Sequence, residues 1–177
     1  MNEGMFTSKR LEKGSNKRFN QIKDLFHKAS CQIERIALKE DIDTIIIGQN
    51  KGWKQHSDLG KKNNQSFTAI PHSLLIQMIT YKAERHGIRV KVTEESYTSQ
   101  ASFFDNDPIP VYGKNDVNKS FSGKRIKRGL YRTKNGKIVN ADVNAAANIM
   151  EKAFNNAFQE PFSNVRALLE PISYVLK

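Results

Sequence analysis

Apolar and polar residues alternate in different ways along the chain, and each pattern predicts a different element. Residues 5–40 carry apolar side chains at helical spacing in a polar, basic background. This predicts one long amphipathic helix, or a helix pair broken at Gly14 and Ser15. The apolar run 44–47, stopped by Gly48, predicts a short strand buried on both faces.

The next pattern predicts a helix followed by a second strand. Residues 70–85 have apolar side chains at helical spacing, with Pro71 in the first turn and Gly87 just beyond the end. Residues 88–93 then alternate between apolar and polar side chains, which is typical of a strand. Because a helix joins this strand to the one at 44–47, a βαβ unit with parallel strands is expected.

Functional sites in parallel sheets collect at the carboxyl ends of the strands, here residues 48–50 and the pair Glu94 and Glu95. Carboxylates at the ends of elements commonly hold divalent metal for phosphodiester chemistry. Adjacent residues of a strand point to opposite faces, so at most one of the two glutamates points toward a shared site. The alternation does not decide which one.

The last third of the chain is predicted to be irregular over 101–123, a hairpin over 124–139 and an alanine-rich helix over 141–155. Asn135-Gly136 predicts a two-residue turn in the hairpin. From Lys114 to Lys137 the chain carries nine basic residues against the single acid Asp116. A segment this basic suits contact with phosphates. The residues expected to contact nucleic acid there are Lys124, Arg125, Lys127, Arg128, Arg132 and Lys134.

Trp53 and Lys54 lie in a predicted extended loop over residues 48–68. Trp53 could stack on a base, although a lone tryptophan more often anchors a loop to the core. We include both residues among the candidates for nucleic-acid contact.

Asp142, at the start of the last predicted helix, has two interpretations. It could cap the helix, the commonest role of an aspartate there, and the spacing alone favours this. It could instead bind metal where the helix dipole favours negative charge. A two-metal nuclease needs several carboxylates, and the chain offers Glu94 or Glu95 together with Asp142, with no equally convincing third.

Composition and charge limit the kinds of partner that the chain is expected to bind. With 177 residues the chain suits one domain, and 29 Lys+Arg against 18 Asp+Glu give a net charge of +11, which favours nucleic acid over a merely solvated basic surface. The single cysteine, Cys31, excludes an internal disulfide or a cysteine-based zinc site. No apolar run suits a membrane span and the N-terminus lacks a signal-peptide core, so we expect a cytoplasmic protein.

The segments IIIGQNKGWKQ, IPHSLLIQMITYKAERHGI, EESYTSQASFFD, FSGKRIKRGLYR and NADVNAAANI resemble the carboxyl-terminal half of TnpB/OrfB proteins. These are transposon-encoded proteins with an RNase H-like (RuvC) nuclease domain, related to type V CRISPR effectors. The resemblance runs from about residue 8 to residue 158. The order of YTSQ and ADVNAAANI makes it specific.

The resemblance implies an RNA-guided DNA endonuclease in which three acidic residues hold Mg²⁺. The third acid corresponds to Asp142. The second normally ends a strand, where this chain has Gly48, but some members place it just before the YTS motif, where this chain has Glu95. The resemblance therefore implies Glu95 and Asp142 as catalytic metal ligands, with Glu94 as the alternate to Glu95.

Two departures from the family pattern bear on activity. Most members carry a four-cysteine zinc ribbon before the DVNAA motif, whereas here Ala101 stands at the first cysteine position and no cysteine follows. We therefore expect no zinc and a basic hairpin in its place. The family's first acid lies on a strand that would precede Met1, so we expect a truncated protein that binds nucleic acid but does not cut it alone.

The expected fold is α/β: an incomplete RNase H-like (RuvC) domain over residues 1–158, with a βαβ unit, a long N-terminal helix and a basic hairpin insertion at about 101–139, followed by a tail over 159–177. The expected function is that of a truncated TnpB-like protein that binds DNA and guide-type RNA. The alternatives are a non-catalytic RNA- or DNA-binding module and a pseudogene product that does not fold stably.

Overall fold

The computed structural model describes residues 8–50, 70–113, 120–154, 171 and 173–176. It divides into two compact units. Unit 1 comprises Met1–Asp43, Ser57–Arg89 and Val175–Lys177, and unit 2 comprises Thr44–His56 and Val90–Tyr174. Trp53, Lys54 and most of the tail over 159–177 lie outside the described residues, so the predictions for them stay predictions.

Unit 1 begins with one uninterrupted helix, α1, from Lys9 to Lys39. Its amino end is capped by Ser8, whose side-chain oxygen accepts from the backbone N–H of Leu11 at 3.3 Å. Of the two predicted alternatives, the single helix is confirmed, because an isolated glycine weakens a helix without ending it. The buried residues of α1, which are Phe26, Ser30 and Ala37, all lie in its carboxyl-terminal part.

The second helix, α2, spans His72–Glu84 and packs against α1. Pro71 is its N-cap residue, so the prediction that Pro71 lies in the first turn is wrong by one position. The contact face includes a buried lysine, Lys82, whose Nζ donates to Cys31 Sγ at 2.7 Å. Gly87, at φ +73°, ends this segment in the left-handed conformation that favours glycine.

Two parallel strands open unit 2: β1, Thr44–Gly48, and β2, Arg89–Thr93, whose first residue belongs to unit 1. Their direction follows from the backbone bonds from Arg89 N–H to Asp43 O (2.9 Å) and from Gln49 N–H to Thr93 O (2.8 Å). Every residue of β1 is only half-buried, so the prediction of a strand buried on both faces is wrong. Within the described residues, β2 is its one strand neighbour.

The basic segment folds as a three-stranded antiparallel sheet instead of the predicted single hairpin. Its strands are β3, Lys124–Lys127, β4, Leu130–Arg132, and β5, Ile138–Asn140. The predicted two-residue turn is also wrong. Gly136, at φ +80°, donates its N–H to Thr133 O at 3.0 Å, and Thr133 pairs with Lys137 to close a three-residue loop.

A final helix, α3, spans Ala141–Ala153 and packs on β1 and on the β4–β5 end of the basic sheet. The apolar cluster beneath this sheet consists of Tyr131, Val139 and Ala141, with Phe104 packed against it. None of the helices that the structure describes is long and apolar enough to span a membrane.

Two glycines with free space around them give a matched test of backbone conformation. No atom lies within 4 Å of a Cβ built on Gly14 or on Gly87, but Gly87 has φ +73°. In the helical Gly14, alanine should stabilise α1 by about 1 kcal/mol, whereas Gly87→Ala should destabilise the protein by about 1 kcal/mol.

Helix content from far-UV circular dichroism reports the first change, and denaturant unfolding reports the second. If both substitutions stabilised the protein, or if both destabilised it, the assigned backbone conformations would be contradicted.

Candidate metal and nucleic-acid site

The first turn of α3 places Asp142 at the helix surface. Asn140 caps this helix: its Oδ1 accepts from the backbone N–H groups of Asp142 (2.9 Å) and Val143 (3.0 Å). The preferred interpretation of Asp142 as the cap is therefore wrong. Its side chain is 82% exposed and lies 3.5 Å from Arg125 Nη2, so the carboxylate is available to solvent and to a cation.

Two buried asparagines of α3 hold the segment that follows β2. Asn144 donates from Nδ2 to Ala101 O at 2.8 Å and accepts from Phe103 N–H at 3.0 Å. Asn148 donates to Thr98 O and to Ala101 O, both at 2.8 Å. Both side chains are at most 1% exposed, so each hydrogen bond replaces one with water.

Sequence reasoning missed this role of the asparagines. The available signal is their spacing: residues 144 and 148 lie four positions apart, on one face of a helix that is otherwise rich in alanine. Asparagine is a poor helix former, and two on one face indicate a specific bond. The consequence is that α3 fixes the turn that begins at Glu95.

The Glu95 side chain lies directly over Gly48, at the end of β1. A Cβ built on Gly48 would lie 2.5 Å from Glu95 Oε2 and 2.7 Å from Ile149 Cδ1. Glu95 thus fills the volume that a side chain at the end of β1 would take. The backbone of the turn is fixed by Asn50, whose Oδ1 accepts from Glu95 N–H at 3.0 Å.

Burial and the neighbouring charge of Glu94 raise the pKa of the Glu95 carboxyl above its ordinary value. Within the described part of the chain, no hydrogen bond or ion pair reaches the Glu95 carboxylate. A half-buried carboxylate left without a partner is poorly stabilised in its charged form. Such a group is suited to receive a cation.

Glu94 has the opposite environment. Its carboxylate pairs with Lys152, whose side chain is 9% exposed, and accepts from Ser96 N–H at 2.8 Å. Lys152 also donates to Ser96 O at 2.9 Å. Although burial opposes it, the hydrogen bonds and charge of Lys152 together with the Ser96 bonds lower the pKa of Glu94. Glu94 is therefore a structural partner of α3.

Asp142 and the α3 residue next to Glu95 lie at different levels of the helix. Residue 142 precedes Ile149, the neighbour of Glu95 at Gly48, by seven positions, which is about 10 Å along a helix. Within the described residues, no group of three or more His, Cys, Asp or Glu side chains could hold a metal ion.

The basic sheet and its turns expose the six predicted nucleic-acid contacts of this segment: Lys124, Arg125, Lys127, Arg128, Arg132 and Lys134. Lys124 pairs directly with Arg132 across the antiparallel strands. Like charges in this position destabilise a sheet. A polyanion bound to this face would remove the repulsion.

Two aspartates before the basic sheet tie it together. Asp107 accepts from the backbone N–H groups of Ser102 (2.8 Å) and Ser122 (2.9 Å) and from Ser122 Oγ (2.5 Å). Asp105 accepts from Ser102 Oγ (2.5 Å) and from Lys134 N–H (2.9 Å). The bonds to Ser122 and to Lys134 span 15 and 29 positions of the sequence, so the two carboxylates act as crosslinks within unit 2.

A family model and a curated protein that match this chain are both of the Cas12f1 type. Residues 72–149 match the family model "Cas12f1-like, TNB domain". A CRISPR-associated endodeoxyribonuclease Cas12f1 from Sulfoacidibacillus thermotolerans is 32% identical over 124 residues, which cover 70% of this chain and 25% of the relative. The chain thus spans about a quarter of the length of this curated relative.

Among solved structures, the fold is similar to a chain in the cryo-EM structure of a Cas12f1–sgRNA–target DNA complex. The TM-score is 0.56 at 20% identity, and the match covers 80% of this chain and 36% of that one. At this level of identity the likeness concerns the fold.

The crosslink made by Asp107 gives a stability prediction. Asp107→Asn keeps the size of the side chain but removes its charge, and one amide nitrogen then faces donors. The free energy of unfolding should fall by about 2 kcal/mol, measured by denaturant unfolding. The control is Asp43→Asn, which removes only an ion pair with Arg89 whose partners are 81% and 75% exposed and should change stability little. Equal effects in both variants would contradict the crosslink.

Proposed function

Because the chain is a relative of the TnpB/Cas12f-type nucleases, we propose that it is a nucleic-acid-binding protein derived from a transposon-encoded, RNA-guided endonuclease. In this proposal the basic sheet β3–β5 binds the phosphate backbone of DNA or of a guide-type RNA. The RuvC-type acidic residues of the chain are Glu95 and Asp142, and they bind Mg²⁺.

The observation that carries the nucleic-acid part is the cross-strand pair of Lys124 and Arg132. A sheet that places two cations opposite each other loses stability unless an anion binds between or across them. The further exposed cations Lys127 and Arg128 extend the same segment. Arginine and lysine side chains in such a patch contact phosphates and position the protein without reading base sequence.

The metal part rests on Glu95. Its carboxylate is half-buried, lacks a partner within the described residues and lies at the carboxyl end of a parallel strand pair. Mg²⁺ in nucleases is bound by one or two carboxylates, waters and substrate phosphates, so Glu95 fits this ion without a full protein cage. When bound, the ion neutralises charge on the phosphodiester and activates water. Glu95 would hold it, and Glu94 with Lys152 would keep the turn in place.

Asp142 is proposed as the second ligand, toward the amino end of α3, where the helix dipole favours an anion and where the exposed side chain can reach a bound phosphate–metal complex.

The second candidate function is a non-catalytic RNA- or DNA-binding module. It is favoured by the pairing of Asp142 with Arg125 at 3.5 Å.

The two adjacent glutamates give opposite predictions for stability. The folded state raises the pKa of Glu95, so its ionisation opposes folding, and Glu95→Gln should raise Tm at neutral pH in the absence of metal. This gain should disappear as the pH falls below the ordinary value of 4.5. The folded state lowers the pKa of Glu94, so Glu94→Gln should lower Tm at neutral pH, and this loss should vanish as the pH falls through the folded pKa.

The same variants test the metal. Mg²⁺ at ten times its Kd should stabilise the wild type by about 1.4 kcal/mol, and Glu95→Gln should abolish this response. Glu84→Gln, an exposed glutamate in α2, is the control and should keep it. A Tm rise with Mg²⁺ that persists in Glu95→Gln would overturn the assignment of Glu95.

Nucleic-acid binding is tested by fluorescence anisotropy with labelled DNA and RNA at several salt concentrations. Replacing Lys124, Lys127 and Arg132 with glutamine should weaken binding by tenfold or more at moderate salt and reduce the slope of log K against log salt by roughly two to three. The control replaces Lys23, Lys28 and Lys39 of α1 with glutamine, which removes the same charge. Equal losses in both variants would contradict a specific contact by the basic sheet.

A further inference from the structure

The amino-terminal half of α1 is an exposed basic rod. Of residues 8–25, every side chain is exposed except Ile22, which is intermediate. The buried residues of the helix begin at Phe26. Seventeen residues, 9–25, at 1.5 Å per residue give a length of about 25 Å. The sequence predicted this helix but gave its lysines no role in binding.

Four cations share one side of this rod, and we call them the basic stripe. Lys9, Lys13 and Lys17 lie at positions i, i+4 and i+8, so they stand one above the other about 6 Å apart along the axis. Arg10 lies next to Lys13 and Lys17 on the same side. Asp24 follows on this side and pairs with Lys28 at 2.9 Å, which ends the stripe.

The stripe is placed where it weakens a free helix. Lys9 and Arg10 are the first two residues of α1, where the positive end of the helix dipole repels cations; the single acid of this turn, Glu12, offsets only part of that charge. Like charges at i and i+4 repel as well, and Gly14 weakens the same stretch further. Packing does not compensate, because the described residues that α1 buries all lie further along. Local preferences that conflict with the element they form are typical of functional sites.

We propose that the basic stripe of α1 binds the phosphate backbone of a nucleic-acid duplex, as a second contact in addition to the basic sheet of unit 2. The inference rests on the proposed function, since it presupposes a nucleic-acid partner. Phosphates along a duplex supply a linear array of negative charge, which matches a linear array of cations. Their binding relieves both the dipole repulsion and the lysine–lysine repulsion.

A duplex fits the stripe better than a single strand does. Proteins that bind single strands combine cations with aromatic side chains on which the bases stack. The stripe carries no aromatic residue, and Phe19 lies on the opposite, apolar side of the helix. Lysine is a flexible point charge that contacts phosphates without a fixed geometry. The contact is therefore independent of base sequence.

The apolar side of the amino-terminal half of α1 is also exposed, Leu11 by 66% and Phe19 by 46%. This side could contact a partner of a different kind. A second copy of the chain or another protein could cover these side chains. The charge pattern favours the duplex, because the repelling cations are on the stripe. The protein partner is an outcome that the test below separates.

The test measures the affinity of the full chain for labelled 20-base-pair DNA and RNA duplexes and for a single strand of the same sequence, over a range of salt. The stripe variant is Lys9→Gln, Lys13→Gln and Lys17→Gln. The control is Lys23→Gln, Lys28→Gln and Lys39→Gln, which has the same net charge, the same substitution and the same helix. Glutamine has a helix propensity close to that of lysine, so α1 should stay helical, as circular dichroism can verify.

We expect the stripe variant to lose about tenfold or more in duplex affinity at moderate salt and about two to three in the slope of log K against log salt. The control variant should lose only a few-fold in duplex affinity. The affinities of the two variants for the single strand should differ less than their affinities for the duplex do. Restoring charge with Lys9→Arg, Lys13→Arg and Lys17→Arg should restore duplex affinity. Gly14→Ala should tighten duplex binding a few-fold, because it preorganises the helix.

The inference is overturned if the stripe variant binds duplexes as the control does, or if arginine does not restore binding. It is also overturned if the loss is equal on single strands, or if Leu11→Gln and Phe19→Gln dissociate an oligomer while the stripe variant binds normally. The sheet variant, in which Lys124, Lys127 and Arg132 are replaced with glutamine, distinguishes failure of this inference from failure of the proposed function. If only the sheet variant loses binding, the proposed function holds and the inference about the stripe fails. If only the stripe variant loses binding, the stripe is the contact and the assignment of the contact to the basic sheet fails. If neither variant loses binding, both fail.

Discussion

The hydrogen bonds of Asn144 and Asn148 to the backbone of residues 98–103 are the constraint on which the candidate site depends. They are buried, and removing either amide would leave peptide groups unsatisfied inside unit 2. Because they fix the turn after β2, they also fix the backbone of Glu95 against the end of β1. The alanines between and around the asparagines let α3 approach closely enough for these short side chains to reach.

Two adjacent glutamates acquire different roles from this arrangement. Glu94 is directed to Lys152 of α3, whose side chain is 9% exposed, and is held as its charged partner. Glu95 is directed over Gly48 and left without a partner in the part of the chain that the structure describes. The absence of a side chain at Gly48 is what makes room for this carboxylate, since any Cβ there would clash with it. A glycine and a glutamate that lie far apart in the sequence thus form one feature.

Positive charge is concentrated at two places in the described residues. In unit 2 the basic sheet places Lys124 opposite Arg132, and in unit 1 the first turns of α1 stack lysines at the positive end of the helix. Both arrangements cost local stability. In unit 2, Asp105 and Asp107 are engaged in hydrogen bonds that crosslink the base of the sheet. In the proposed function, this positive charge contacts the phosphates of a nucleic acid.

The sequence alone determined the elements and the relatives. Apolar periodicity located α1, α2, α3 and the strands β1 and β2, because spacing at helical or alternating period is a local property. Motif order indicated the nuclease relationship that the comparisons support. Charge counts indicated a polyanionic partner. What the sequence could not decide were contacts between distant segments: which glutamate faces β1, which residue caps α3, how the basic segment pairs, and that Asn144 and Asn148 are buried. These depend on which backbone groups lie within hydrogen-bond reach after folding, and only the tertiary structure sets those distances.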